Sequence, residues 1–227
     1  MERLDRVLSS ASAATRSETR RLVRERRITV NGVTALRADE KIDDDDIVSI
    51  DGIEVERMHT VLLMMNKPVG YVTSTSDPLS PTVMSLLPER YIRLGVFPVG
   101  RLDKDTSGLL LFTNDGTLSH RLTAPGKGIE KEYLVTHRGT VTDEIVERFR
   151  SGIVLADGTL CRSAELVEKG KGQCLLTISE GKYHQVRRMM ASCGLDVTAL
   201  RRVREGCITL SDLKEGDVME LDTSLFC

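Results

Sequence analysis

The chain has 227 residues, of which 40% are hydrophobic and 29% charged, fractions that are typical of a globular protein with one or two domains. Its 32 lysines and arginines nearly balance its 34 aspartates and glutamates, so the net charge identifies no class of partner. Five cysteines without a CxxC pair argue against a zinc site or a disulfide framework, and the lack of a signal peptide or a ~20-residue apolar run predicts a cytoplasmic protein.

Charge is distributed unevenly over the first quarter of the chain. Residues 1–32 hold eight arginines against four acids, whereas residues 33–58 hold nine acids against three basic residues. The segment "TRSETRRLVRERR", residues 15–27, predicts a helix, because Thr15 can cap it and Glu18 can complete a capping box.

The arginines of this helix recur at spacings of four, four and three residues, which predicts that they share one face. They are Arg16, Arg20, Arg24 and Arg27. Such a stripe is often merely solvated, but this one has a single acid nearby, Glu18, so we expect it to bind phosphates. Leu22 and Val23 lie off the stripe and are expected to pack against Leu4, Val7 and Leu8 of a preceding short helix.

The stretch "RLDRVLSS…ATRSETRRLVRERRITVNG", whose "ITVNG" end predicts a strand and an Asn-Gly turn, resembles the S4-like domain of ribosomal proteins and RNA-modifying enzymes. The resemblance implies RNA binding but no reaction. It predicts a small α/β domain over residues 1–57, followed by a short linker at residues 56–60.

The remainder, residues 61–227, is predicted to be a second domain. "VLLMMNKPVGYVTS" indicates a buried strand that runs into a Lys-Pro turn, and glycine-containing turn signals then separate short strands. Helices are predicted at about Thr117–Leu122, Asp143–Arg150 and Tyr183–Ser192, with Gly152 and Gly194 just beyond two of them. Hairpins interspersed with helices favour an α+β fold with a mainly antiparallel mixed sheet.

The stretch "GRLDKDTSGLLLF", residues 100–112, contains two aspartates whose chemistry has several interpretations. A calcium loop requires glutamate at its twelfth position, where Asn114 stands, so the metal interpretation fails. An acid/base pair is disfavoured, because Arg101 and Lys104 would oppose the raised pKa that a general acid needs. The residues alone leave open a plain polar turn before a buried strand.

"GRLDKDTSGLLLFTNDG" resembles the central motif of pseudouridine synthases of the RsuA-like branch. In that family the aspartate of "RLD" is the essential catalytic residue, which implies this role for Asp103 and leaves Asp105 as a turn residue. The family's reaction moves uracil from a nitrogen to a carbon linkage, which implies that no cofactor is needed. An ionised carboxylate is needed, to add to the sugar or base or to deprotonate the ribose.

Three further stretches resemble motifs of the same family. "KEYLV" implies that Tyr133 packs against the flipped base, "EGKYHQVRRMMA" implies that Arg187 pairs with the catalytic aspartate, and "VTALRRVREGCITL" implies that Leu200 packs in the site. From the residues alone, the alternatives are that Tyr133 fills the core and that Arg187 contacts a phosphate or lies at the surface. RNA contacts are further predicted for Lys67, Arg101, Lys182 and Arg188, with His184, Arg201 and Arg202 as additional basic residues near the site.

The combined resemblance implies a monomeric, cofactor-independent enzyme that converts one uridine of ribosomal RNA to pseudouridine. "EGKYHQVRRMMA" and "SHRLTAPGKGIEKEYLV" resemble the branch that acts on 16S ribosomal RNA, within an assembling small subunit. The alternatives are a 23S-specific enzyme of the same family, an assembly factor that binds ribosomal RNA without catalysis, and a nucleoside hydrolase.

Overall fold

The computed structural model describes residues 1–11, 13–43, 45–56 and 60–223. The chain divides into two compact units, Met1–His59 and Thr60–Cys227. The predicted linker at residues 56–60 lies mostly outside the described residues. Within the described ranges, no helix is both long and apolar enough to span a bilayer.

Two helices, α1 (Leu4–Ser10) and α2 (Arg16–Arg24), form one side of the first unit. The predicted capping box of α2 is confirmed: the Glu18 backbone N–H donates to the Thr15 hydroxyl at 3.3 Å, and the Thr15 N–H donates to the Glu18 carboxylate at 2.8 Å. Leu22 and Val23 pack in one core with residues of α1, also as predicted.

Helix α2 ends three residues earlier than predicted, and the chain reverses through Arg26, whose φ is +56°. The line of arginines on the helix therefore stops at Arg24. Placing Arg27 on that face is wrong, because Arg27 lies after the reversal and pairs with Asp51 and Glu25.

Short strands complete the first unit. They are β1 (Glu2–Arg3), β2 (Ile28–Val30), β3 (Val33–Thr34), β4 (Lys41–Ile42), β5 (Val48–Ile50) and β6 (Ile53–Glu54). β1 pairs with β4, and the other four form an antiparallel sheet in the order β3-β2-β5-β6. The predicted Asn-Gly turn joins β2 to β3, with φ values of +50° at Asn31 and +78° at Gly32 that suit a tight hairpin.

The second unit is built on one mixed sheet of nine strands. They are β7 (Leu62–Lys67), β8 (Phe97–Val99), β9 (Thr106–Thr113), β10 (Lys131–Arg138), β11 (Glu165–Gly170), β12 (Gln173–Ile178), β13 (Asp196–Glu205), β14 (Ile208–Thr209) and β15 (Val218–Leu221). The main path runs β11-β12-β10-β13-β9-β7-β15, while β8 pairs with β9 and β14 with β13. Among the described strands of this sheet only β9 and β13 pair in parallel, so the predicted mainly antiparallel mixed sheet is confirmed.

The central strands β7 and β9 are buried on both faces. Leu63 and Met65 of β7 belong to the larger core, whereas Leu62 and Met64 belong to a smaller core on the opposite face. Successive side chains of a strand point to opposite faces, so a strand covered on both sides needs a continuous apolar run. This requirement explains the solid apolar block that follows Asp105 in the sequence.

Helices cover the sheet at α3 (Glu89–Arg93), α4 (Gly116–Thr123), α5 (Asp143–Ser151) and α6 (Gln185–Ser192). Three of these confirm predicted helices, and Gly152 and Gly194 follow α5 and α6 with positive φ values, as expected. Helix α6 begins two residues later than predicted, because His184 adopts a left-handed conformation with φ of +47° and interrupts the turn before it.

Candidate active site

Asp103 lies in a loop that leads directly into β9. The Asp103 carbonyl accepts a hydrogen bond from the Thr106 N–H at 3.1 Å, so the loop closes in a tight turn before the strand. On its other side, the Thr73 hydroxyl donates to the Leu102 carbonyl at 2.7 Å and accepts from the Leu102 N–H at 3.2 Å. The backbone of the aspartate and that of the preceding residue are therefore both held by hydrogen bonds.

Lys67 holds the same loop in place from the interior of the protein. Its ammonium donates to the carbonyl oxygens of Pro68, Asp103 and Thr106 at 3.0, 3.1 and 2.8 Å. The residue is fully buried, and this burial lowers the pKa of its amine to about 8, although the charges of Asp105 and Asp103 oppose the decrease. The prediction that Lys67 contacts RNA is wrong: an ammonium with no exposed surface cannot reach a phosphate.

The loop opens into a cleft of about 720 Å³. Asp103, Tyr133, Leu200 and His184 are among the residues that line it. The parallel pairing of β9 with β13 brings these elements together, because it sets Leu200 opposite Thr106 and Arg202 opposite Gly108. A Cβ atom at Gly108 would lie 2.2 Å from the Arg202 carbonyl oxygen, so only glycine permits this approach.

The Asp103 carboxylate keeps 34% of its surface exposed, so it is accessible from the cleft. The His184 imidazole lies beside it, with Nε2 3.5 Å from Oδ1. Sequence reasoning did not predict this contact, because it depends on the left-handed backbone at His184. Histidine is one of the few non-glycine residues enriched in that conformation, and this is the available signal.

Arg187 forms an ion pair with Asp105 rather than with Asp103. A terminal guanidinium nitrogen lies 2.8 Å from the Asp105 carboxylate and 3.2 Å from its carbonyl oxygen. The predicted ion pair between Arg187 and Asp103 is therefore wrong for this structure. The physical reason is that the two aspartates stand two residues apart, so either can meet an arginine from α6, and the loop conformation decides between them.

Tyr133 lies deep in the cleft, in β10 opposite Arg202 of β13. Burial raises the pKa of its phenol above the ordinary value, so the hydroxyl stays protonated at neutral pH. Its partner Arg202 is 2% exposed and donates to the Leu109 carbonyl at 2.7 Å. The Arg202 guanidinium also lies 3.1 Å from the carboxylate of Glu205, a residue that is 1% exposed. The expectation that Arg202 tracks the RNA backbone is wrong.

Sequence reasoning also missed Glu205, and the sheet geometry explains why. Residues three apart in a regular strand point to opposite faces. A register shift between the pairs Glu132–Arg204 and Tyr133–Arg202 marks an irregularity in β13, which brings Arg202 and Glu205 together. A bulge of this kind has no reliable sequence signal.

The other residues predicted to contact RNA differ in whether they already bind groups of the protein. Arg101 is exposed at the cleft. Lys182 donates to the Leu160 carbonyl at 2.5 Å and pairs with Glu180, while Arg188 pairs with Asp157 at 2.5 Å and donates to the Tyr183 carbonyl at 3.3 Å. These two cations remain predicted RNA contacts, although each already has protein partners.

Comparisons with known proteins agree with this architecture. A family profile described as RNA pseudouridylate synthase matches residues 61–192, and one described as S4 domain matches residues 2–48. The chain is 41% identical over 222 residues to the ribosomal small subunit pseudouridine synthase A of Escherichia coli (strain K12), covering 96% of both proteins. It is 36% identical over 225 residues to the uncharacterized RNA pseudouridine synthase YtzG of Bacillus subtilis (strain 168), covering 96% of this chain and 94% of that protein.

A solved structure, described as the crystal structure of pseudouridylate synthase, covers 100% of this chain and 98% of its own, with a TM-score of 0.70 and 33% identity. The α+β unit and the N-terminal unit thus both have counterparts in one family. The chain belongs to the RNA pseudouridylate synthases, and it carries an S4 domain at its N-terminal end.

Proposed function

We propose that this enzyme converts one uridine of small-subunit ribosomal RNA to pseudouridine, with Asp103 as its catalytic carboxylate. The observation that carries the proposal is the placement of a partly exposed carboxylate in the same cleft as a buried, protonated tyrosine. The similarity to the ribosomal small subunit pseudouridine synthase A of E. coli, which extends over nearly the whole chain, supports the small subunit as the source of the RNA.

The reaction is an isomerisation, so its atoms and electrons balance without a co-reactant. The bond from the ribose to uracil N1 breaks, the uracil turns, and a bond from the same ribose carbon to uracil C5 forms while C5 loses its proton. A carboxylate can assist by adding covalently or by removing a ribose proton. Tyr133 offers a ring on which the extruded uracil can stack, and its hydroxyl lies beside Arg202.

Arg187 keeps its proposed role only if it exchanges partners. Reaching Asp103 would require Arg187 to leave Asp105, whose side chain is 65% exposed and therefore easily solvated once released. An arginine that moves to Asp103 when RNA fills the cleft would stabilise the ionised carboxylate as water is excluded. Lys67 already presents a positive charge to the backbone of the same loop.

Pseudouridine mapping tests the proposed substrate. Protein incubated with small-subunit and large-subunit ribosomal RNA transcripts of its source organism is expected to introduce one pseudouridine in the small-subunit RNA only, located by carbodiimide modification and primer extension. Modification of the large-subunit RNA instead would identify the alternative branch. Release of free uracil would identify a hydrolase, and binding without either product would identify an assembly factor.

The first unit is proposed to bind the phosphate backbone through α2. Arg16, Arg20 and Arg24 are exposed, and among the described residues none of them forms an ion pair, whereas Arg21 of the same helix pairs with Glu25. Unpaired guanidinium groups on one helical face suit phosphate oxygens, because binding costs no existing salt bridge.

Replacing Arg20 and Arg24 together with glutamine is expected to weaken RNA binding and to flatten its salt dependence. The slope of log affinity against log salt should fall by about 0.7–0.9 for each phosphate that the protein no longer neutralises. The matched control replaces Arg21 and Arg37, which are also exposed but pair with Glu25 and Asp39. Filter binding across a salt series measures both; equal slopes in the two double variants would mean that this face of α2 does not bind the backbone.

A further inference from the structure

Tyr183 is an exposed aromatic side chain at the cleft, and the proposed chemistry gives it no role. It is 75% exposed and lines the same cleft as Asp103. The other described tyrosines and phenylalanines are buried or half-buried. A large apolar ring left in water next to a catalytic cleft favours a binding role over a packing role.

The Tyr183 ring stacks on the His184 ring, with centroids 3.9 Å apart and planes 16° from parallel. The His184 ring of this pair contacts the proposed catalytic carboxylate, since its Nε2 lies 3.5 Å from Asp103 Oδ1. One aromatic face of the pair thus remains open to solvent, while the pair as a whole is fixed relative to the reacting group.

The turn that carries the two rings is held rigidly. The buried Gln185 side chain accepts a hydrogen bond from the Lys182 N–H at 2.8 Å. The Arg188 side chain donates to the Tyr183 carbonyl at 3.3 Å, and the Arg188 backbone N–H donates to the His184 carbonyl at 3.0 Å. These bonds hold His184 in a left-handed conformation that most residues avoid. A preorganised aromatic surface binds its partner with little loss of conformational entropy.

We propose that Tyr183 is a stacking platform for an unpaired nucleobase next to the target uridine. The inference rests on the proposed function, since it takes RNA as the occupant of the cleft. The target uracil belongs against Tyr133, close to Asp103, so a base on Tyr183 belongs to a flanking nucleotide. The cations of Arg101 and Lys182 at the cleft, and of Arg188 next to the Tyr183 carbonyl, suit the phosphates on either side of such a base.

Substitutions that remove or keep the aromatic ring of Tyr183 supply the first test. Tyr183→Ala is expected to raise KM and the RNA dissociation constant by about 5- to 150-fold, the range for losing one base–aromatic stack, with kcat nearly unchanged. Tyr183→Phe keeps the ring and should stay near the parent. Ile92→Ala, which removes an exposed apolar side chain from α3 outside the cleft, is the matched control. An unchanged KM in Tyr183→Ala, or an equal loss in Tyr183→Phe, would overturn the platform.

Photo-crosslinking supplies a second test that does not depend on a truncated side chain. With p-benzoylphenylalanine at position 183, irradiation of the complex with whichever ribosomal RNA the parent modifies should stop reverse transcription within two nucleotides of the pseudouridine. Stops elsewhere, or none, would contradict the assignment. If the parent modified no RNA, the proposed function would fail, and the affinities of the Ala and Phe variants would still decide whether Tyr183 stacks on a base.

Discussion

Asp103→Asn is expected to abolish pseudouridine formation, lowering kcat by about 10⁴-fold or more, the scale of loss when a catalytic unit loses a reacting member. Asparagine keeps the size of the side chain but can neither add to the substrate as a carboxylate nor accept a proton. RNA affinity should stay within about threefold, because the change leaves the surface contacts of the cleft in place. Tritium release from RNA labelled at uracil C5, together with filter binding, measures both quantities.

Asp105→Asn is the matched control, since it makes the same chemical change two residues away. It removes the present partner of Arg187 and leaves Asp103 intact. We expect it to retain activity within about tenfold, because an arginine released from Asp105 is free to approach Asp103. Loss of tritium release in Asp105→Asn with retention in Asp103→Asn would reverse the assignment of the two carboxylates.

Asp103→Asn should also unfold like the parent. Its side chain is 34% exposed, and the bonds that hold the loop, from Lys67 and Thr106, go to the Asp103 carbonyl rather than to its carboxylate. The change removes one opposing charge from near the buried Lys67 ammonium, so the free energy of unfolding should fall by no more than about 1 kcal/mol. A large decrease in melting temperature would therefore show that the loss of activity came from misfolding.

The parts of the fold that the sequence predicted are those fixed by local or periodic rules. The capping box of α2 needs only Thr15 and Glu18, and the hairpin between β2 and β3 needs only an Asn-Gly pair. The apolar run after Asp105 indicated a buried strand, and β9 is that strand. In each case the decisive interaction lies within a few residues or one periodic pattern.

The candidate site was harder to predict because it depends on long-range geometry. Resemblance located Asp103, Tyr133 and Leu200, and all three line one cleft. It did not predict that Arg187 would choose Asp105, because that choice between two nearby acids is made by the loop conformation. The sequence also does not show whether the charge of a basic residue is buried, as the charge of Arg202 is.

Lys67 did carry a usable signal. It is the last residue of β7, whose other residues are all buried, and it precedes a proline. A cation at the end of a fully buried strand must find partners inside the protein, because an unpaired buried charge is too costly. Here the partners are three backbone carbonyls of the loop that carries Asp103.

Lys67→Met is accordingly expected to lower the free energy of unfolding by about 2 kcal/mol or more, since the Pro68 and Thr106 carbonyls lose the Lys67 donor and each buried carbonyl left without a donor costs about 1–3 kcal/mol. The Asp103 carbonyl keeps its hydrogen bond from the Thr106 N–H. Activity should fall by about 100-fold, because the loop that positions Asp103 loses its anchor, and misplacement of a catalytic group by about 1 Å has that effect. Lys104→Met is the matched control: Lys104 is exposed in the same loop, and its ammonium donates to the Ser80 hydroxyl at 3.0 Å. Chemical denaturation and tritium release measure the two effects.

The pH dependence of the free energy of unfolding, compared between the parent and Lys67→Met, tests whether the Lys67 amine is buried. The pKa of Lys67 is about 8 in the folded protein, below its ordinary value of 10.5, so between these values the unfolded chain holds more protons at this site than the folded one. Stability then rises with pH over this interval, whereas below about pH 8 both states are protonated and the contribution of Lys67 does not change with pH. The parent should therefore gain stability relative to Lys67→Met as the pH rises from about 8 to 10.5. A difference that stays constant over this interval would mean that the Lys67 ammonium is solvated and does not anchor the Asp103 loop.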